Sequence, residues 1–261
     1  MRLLPERVSL TDIVMFAIGG LIVALVIIGS AATLIHGKYD SRAWFDFIVY
    51  GVALGGIYAV IALGSTMVYG ILRLINFAHG EVFMSGPLTA YFLADAWSRS
   101  GFLDQNPVVG LLGIFVLAMA VSTAVATVLE RIAYRPLRFA PRLVPLITAI
   151  GASFFLQYFF RGLYGANIKA YPDIAVLKGE LLIGIYRIQY IQILVIVVAA
   201  LMMAGLQLFI QRSRTGKAMR AVSEDKQTAA LMGIDVDRII VITFVIGGAL
   251  AGAAGVLYAL M

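Results

Sequence analysis

Apolar residues in this chain fall into long blocks rather than the short amphipathic stripes of a soluble helix or the alternation of a half-buried strand. Seven runs stand out: Ile13 to Ile35, Phe47 to Leu72, Phe77 to Trp97, Val108 to Leu129, Leu143 to Tyr164, Tyr190 to Ile210 and Ile239 to Met261. A hydrocarbon core of about 30 Å takes about 20 helical residues, so six of the seven are long enough to cross it. The third is different. Its uninterrupted stretch, Val82 to Ala94, is about 13 residues, and it spans only if the polar residues before it also enter the membrane. Capping residues agree with these boundaries: Ser9, Thr11 and Asp12 precede or open the first run, Asn106-Pro107 opens the fourth, and Pro141 and Pro145 open the fifth. The pattern predicts an all-α polytopic helical bundle, read as a single membrane domain over 1–261.

Composition sharpens this reading. Of 261 residues, 62% are hydrophobic and 13% charged, against about 25% charged in a soluble domain. A net charge of +6 would suggest nucleic acid in a soluble protein, but here the basic residues lie between apolar runs, where they set orientation in the bilayer. Segments 1–12, Arg73, 130–142 and 211–238 carry 13 of the 20 Lys and Arg; 36–46, 98–107 and 165–189 carry 6, and Arg161 lies inside the fifth run. The positive-inside rule then places the first set, and the N-terminus, in the cytoplasm. The first run follows Arg2 and Arg7 and contains Ser30-Ala31-Ala32, a cleavage-like triplet. At about 23 residues it exceeds the 7–15 of a cleaved signal and reads as a retained anchor over 13–35. With no cysteine and only His36 and His79, the chain offers no thiolate or histidine metal site.

The stretch Tyr69 to Met84 puts Arg73, Asn76, His79, Gly80 and Glu81 between two apolar runs with no turn-rich loop. Ionisable groups at membrane depth are costly unless paired or wetted, which makes these five candidates for a pathway or for a structural motif. A tight interfacial turn, with Arg73 and Glu81 reaching the membrane edge and Gly80 supplying flexibility, explains them equally well. A catalytic His79–Glu81 pair lacks an accompanying nucleophile or metal cluster. The segment is expected to be broken or distorted near Asn76 to Gly80, because freed backbone survives there only when buried in protein or facing water.

Small residues are grouped on two runs. Gly51, Gly55 and Ala59 make a smooth face on the second, read as a helix-packing surface, and Gly247, Gly248, Gly252 and Gly255 repeat the theme on the seventh. Gly70-Ile71 and Gly233-Ile234 precede similar segments, a faint sign of an internal repeat.

Between the sixth and seventh runs, 211–238 reads as a basic segment holding one short helix. Ser223 serves as its cap, Glu224 and Asp225 suit the positive end of the dipole, Ala229 to Met232 close it with an apolar face, and Gly233 fits the left-handed C′ position. A helix fixed between two spans suits docking in a partner's groove. Gly216-Lys217 is not a phosphate loop, since Gln211 and Ala218 stand where that pattern needs Gly and Ser or Thr. If ATP drives the protein, another subunit hydrolyses it.

Two blocks, Ile57 to Glu81 (IYAVIALGSTMVYGILRLINFAHGE) and Arg214 to Asp225 (RTGKAMRAVSED) followed by Ala229-Ala-Leu-Met-Gly-Ile234, resemble the H-type permease subunit of bacterial branched-chain amino-acid ABC transporters. The resemblance covers about Phe47 to Met261. It implies an inner-membrane importer subunit without bound cofactor, a partner permease of the M type, two cytoplasmic ATPase subunits and a periplasmic substrate-binding protein. It also implies that Arg214, Thr215, Gly216, Lys217, Ala218, Arg220, Ala221, Ser223, Glu224, Asp225, Ala229 and Gly233 belong to the loop that engages an ATPase subunit. Urea or a short amide is an alternative cargo, and an ATP-independent channel or carrier is the rival class. The run 13–35 lies ahead of the family's usual start. The ending Leu257-Tyr-Ala-Leu-Met261 implies a longer permease, with the glycine face of the last run left exposed in this chain.

Overall fold

The computed structural model describes residues 10–35, 37, 39–138, 140–141 and 143–261; Arg2, Arg7, Ser9, His36, Lys38 and Arg142, used above, lie outside these. The chain forms α1 (Leu10–Ile35), α2 (Ser41–Leu72), α3 (His79–Arg99), a one-turn α4 (Phe102–Gln105), α5 (Pro107–Leu129) and α6 (Leu143–Tyr164). A two-stranded antiparallel hairpin, β1 (Glu180–Ile183) and β2 (Tyr186–Gln189), then leads into α7 (Tyr190–Arg212), α8 (Arg214–Glu224), α9 (Lys226–Leu231) and α10 (Val236–Leu260). Six helices among the described residues are long and apolar enough to cross a membrane: those over 14–35, 41–72, 107–137, 143–164, 190–212 and 236–260. The third apolar run falls outside that group yet forms a helix of 21 residues, about 32 Å at 1.5 Å per residue. The hairpin is a small departure from an all-α chain. Gly184 (φ 63°) makes its tight turn, and Tyr186 packs on Phe45 of α2 with ring centroids 4.5 Å apart and the rings tilted.

The centre of the bundle is α10, whose buried residues run from Ile239 to Leu257 and pack on α2, α3 and α5. Apolar surface gains little by leaving lipid, so these helices hold together through close backbone approach. The tightest point is the Ala118 carbonyl of α5. A Cβ on Gly86 of α3 would fall 2.6 Å from that oxygen, and one on Gly252 of α10 would fall 2.5 Å from it. Polar groups in the seam are satisfied locally: Ser85 and Ser122 each donate to the Val82 carbonyl at 2.8 Å. Pro87, buried in α3, has no amide proton to give the Phe83 carbonyl, and Gly255 allows α10 to close over that carbonyl and the proline ring.

Two expectations about small residues are corrected. The glycine face of the last run is not exposed: Gly247, Gly248, Gly252 and Gly255 are all buried against helices that precede α10 in the chain. Gly51 and Gly55 have no atom within 4 Å of a built Cβ, because α2 buries the opposite side, Ala53, Ile57, Val60, Gly64 and Val68. Gly56, beside Gly55, makes a close approach to Ala199 of α7. Thr11 and Asp12 lie inside α1 rather than capping it. Asn106 precedes α5 with Pro107 at its first position, as expected, though its side chain makes no cap hydrogen bond. The span of α1 from Val14 to Ile35 buries nothing against the rest of the chain.

Adding one methyl at the α5–α10 contact should therefore overpack it. Gly252→Ala is expected to cost about 1–3 kcal/mol, whereas Gly55→Ala, in open space, leaves stability unchanged. Thermal unfolding of the detergent-solubilised protein followed by size exclusion compares the two.

Candidate functional site

The two sequence blocks singled out above meet at one end of the bundle. Helix α2 stops at Leu72 because Arg73 takes a left-handed conformation (φ 60°), the sole non-glycine residue with positive φ among the described residues. That conformation costs an arginine roughly 1–2 kcal/mol, and it persists here with two bonds holding it. The Arg73 amide donates to the Tyr69 carbonyl at 2.7 Å, and its guanidinium donates to the Ser223 carbonyl at 2.6 Å. Residues 74–78 are non-helical, and α3 starts at His79, whose amide bonds to the Asn76 carbonyl at 3.2 Å. The break expected near Asn76 to Gly80 is thus centred slightly earlier, and His79 and Gly80 form the first turn of α3.

The polar residues of this break go to different neighbours. Asn76 is buried and accepts a 2.8 Å hydrogen bond from the Tyr134 hydroxyl. His79 is buried against Gly64 of α2, whose built Cβ would fall 3.2 Å from Nε2. Gly80 faces open space. Glu81 turns to α6 and accepts from the Ser153 hydroxyl at 3.3 Å. Residues two apart on a helix do not share a face, so His79 and Glu81 form no pair.

Segment 211–238 holds two helices where one was expected. Ser213 caps α8 by accepting from the Gly216 amide at 2.8 Å, and Gly216 lies directly on the Ile210 carbonyl, where a side chain has no room. Met219 and Val222 extend the buried face of α8, while Arg214, Lys217, Arg220, Ala221 and Glu224 look outward and Thr215 and Ala218 lie between. Ser223 does not cap a helix: its hydroxyl bonds back to the Arg220 carbonyl at 2.7 Å, as serines in helices do. Glu224 ends α8 instead of opening a helix, and Asp225 takes the cap of α9. One Asp225 oxygen accepts from the amides of Gln227 (2.8 Å) and Thr228 (3.2 Å), and the other from the Thr228 hydroxyl (2.6 Å). These bonds, the Thr228 hydroxyl first, hold its carboxyl below the usual aspartate range. Ala229 is the buried residue of α9. Gly233 (φ 83°) occupies the left-handed position after α9, with its amide bonded to Ala230 and that of Ile234 to Ala229, which completes a Schellman ending. Leu231 and Met232, just before it, are 88% and 79% exposed.

Six residues that the sequence did not single out complete this end. After α5 the helix widens into a π turn, Glu130–Tyr134, which buries both Glu130 and Tyr134. Arg138 pairs with Glu130 and with Asp237 in the first turn of α10, and Arg135 reaches Asp237 at 3.6 Å. Lys226 extends toward the Leu72 carbonyl at 3.4 Å, an acceptor orphaned by the end of α2. Burial, then the charges of Arg138 and Arg73, pull the Lys226 ammonium below its ordinary pKa. A cavity of about 290 Å³ lies among Leu72, Tyr134, Arg138, Lys226, Asp237 and Ile240. No group of acidic and histidine side chains able to hold a metal occurs among the described residues.

The bundle of apolar spans, the broken third segment and the helical loop clipped to that break make a polytopic membrane protein. Residues 47–261 match the family described as "Branched-chain amino acid transport system / permease component", and the chain belongs to it. It is 46% identical over 213 residues to the high-affinity branched-chain amino acid transport system permease protein BraD of Pseudomonas aeruginosa, covering 80% of this chain and 69% of that one. To the corresponding permease protein LivH of Escherichia coli K12 it is 42% identical over 212 residues, 79% of this chain and 68% of the relative. A probable LivH of Methanocaldococcus jannaschii is 26% identical over 207 residues, 78% of this chain and 62% of the relative. No solved structure matches the chain. Helix α1 lies outside the matched residues.

Two outcomes follow from the charges at this end. Arg138→Ala strands the fully buried Glu130 and is expected to cost about 3–5 kcal/mol, while replacing Arg138 and Glu130 together by Met restores most of it; thermal unfolding of the two variants measures this. Asp225 has a folded-state pKa below its unfolded one, so its cap supports α9 above about pH 4 and is lost as pH falls through the lowered value. Hydrogen exchange of the 226–231 amides should be faster in Asp225→Ala than in the parent at neutral pH. The difference should close in acid.

Proposed function

We propose that this chain is the membrane subunit of an ATP-driven importer, carrying branched-chain amino acids across the bacterial inner membrane. It forms part of the pathway with a second permease of the M type, receives cargo from a periplasmic binding protein, and is driven by two cytoplasmic ATPase subunits. It has no catalytic centre or cofactor of its own. The end bearing Arg73, α8 and α9 is cytoplasmic, as is the N-terminus, since most of the basic residues lie in segments assigned to that side. Within the single domain 1–261, 13–35 is an added anchor and 211–238 the coupling loop.

The observation that carries this reading is the way α8 and α9 are fixed to the bundle while presenting an apolar tip. Gly216 seats α8 on the end of α7, and Arg73 and Lys226 tie the loop to the end of α2. Leu231 and Met232 then project with almost no cover from this chain. Exposed apolar side chains on a rigid helical loop between spans fit a hydrophobic groove on a soluble partner.

Co-purification tests the reading. The complete complex is expected to retain both ATPase subunits and to take up leucine with ATP. Leu231→Asp combined with Met232→Asp should release the ATPase subunits while leaving the permease pair in the membrane, and Gly216→Leu should do the same or uncouple hydrolysis from uptake. A leucine-transporting complex that contains no ATPase subunit would establish the channel or carrier class instead.

A further inference from the structure

Helices α3 and α6 touch at two polar points with a hollow between them. Toward the basic end, Ser153 donates to Glu81; toward the opposite end, the Thr89 and Tyr164 hydroxyls share a 2.8 Å hydrogen bond. Eight residues separate Glu81 from Thr89 on α3, about 12 Å of helix. The hollow has a volume of about 420 Å³ and is lined by Met84 and Leu88 of α3 and by Gln157, Phe160 and Arg161 of α6, with Gly165 at its rim. This is within the range of small-molecule sites, and its mixture of apolar walls and a few convergent polar groups is typical of them.

The polar groups are unusual for their place. Ser153, Gln157 and Arg161 follow one another at four-residue spacing and so share one face of α6. Arg161 lies 18 residues beyond Leu143, about 27 Å along the helix from its basic end. It has no acidic side chain within ion-pair distance among the described residues. Arg161 is exposed and lies three residues before the end of α6; a guanidinium there with no acidic partner, beside a cavity, is open to an anion, and its planar fork matches a carboxylate.

We propose that this cavity receives the cargo as it enters the permease. Arg161 and Gln157 hold the carboxylate of an aliphatic α-amino acid, and Met84, Leu88 and Phe160 enclose its side chain. The inference rests on the importer reading above and adds to it a binding site and the chemical class of its ligand. An acidic lipid headgroup, the other anion available at that depth, would use Arg161 as an anchor with no effect on uptake.

The test uses the complete complex in vesicles with its binding protein and leucine. Arg161→Gln is expected to reduce uptake about tenfold or more through a raised KM, the size of effect lost with a hydrogen bond to a charged group, with ATPase subunits still co-purifying. Arg161→Lys should recover part of it. Because the chain has no cysteine, a Leu88→Cys variant gives it a single thiol, whose maleimide labelling in the otherwise parental complex should slow when leucine-loaded binding protein and ATP are added. If the parental complex does not take up leucine, the importer reading falls and this site falls with it. If it does, but Arg161→Gln takes up leucine with unchanged KM or labelling of the Leu88→Cys thiol is indifferent to leucine, the site alone is overturned. Should Arg161→Gln fail to assemble, the labelling result decides.

Discussion

Three helices converge on a single backbone oxygen, the Ala118 carbonyl, and they do so because Gly86 and Gly252 put no side chain in the way. In water such contacts would be one contribution beside the burial of apolar surface. In lipid that burial drives little, and van der Waals contact at short range becomes the main force between spans. The position of α10 as the central helix follows from it. So does the tolerance of Pro87 inside α3, whose orphaned Phe83 carbonyl is covered by Gly255 rather than left to hydrocarbon.

A second constraint acts at the basic end. Residues 74–78 expose backbone that a helix would have paired, and the chain covers it from several directions at once. Tyr134 reaches Asn76 from the π turn, Lys226 reaches the end of α2 from α9, and Arg73 reaches α8. The ion pairs of Arg138 then bind the π turn to the start of α10. Asn76, Arg73 and the end of α2 are thus each paired with a group from another element. The broken segment and the loop 211–238 are two halves of one structure.

Much of this was legible in the sequence, and what was not has a physical reason. The fifth run, Leu143 to Tyr164, is α6 from end to end, and the left-handed backbone at Gly233 follows from a glycine after an apolar helical turn. The break before α3 was readable because ionisable residues stood where lipid would be. Helix faces were harder: Gly51 and Gly55 have the same spacing as Gly248 and Gly252, and only the tertiary arrangement decides that the first pair looks outward and the second inward. Glu130, Tyr134 and Arg138 directly follow an apolar run and read as an ordinary polar end. Their burial depends on a π turn that local spacing does not signal. In the loop, Ser223 and Asp225 are both good caps by residue type; Asp225 takes the role with an oxygen shared between two amides, while Ser223 bonds back into α8.

The clip between Arg73 and Ser223 also has a mechanical meaning. Helix α7 rests on α2 through Gly56 and Ala199, α8 is joined to α7 without slack at Gly216, and the far end of α8 is bonded to the end of α2. Three struts joined at three corners make a triangle, and a triangle cannot shear without changing the length of a side. Within this chain α2, α7 and α8 are therefore braced against one another at three places, and α8 has no unbonded end.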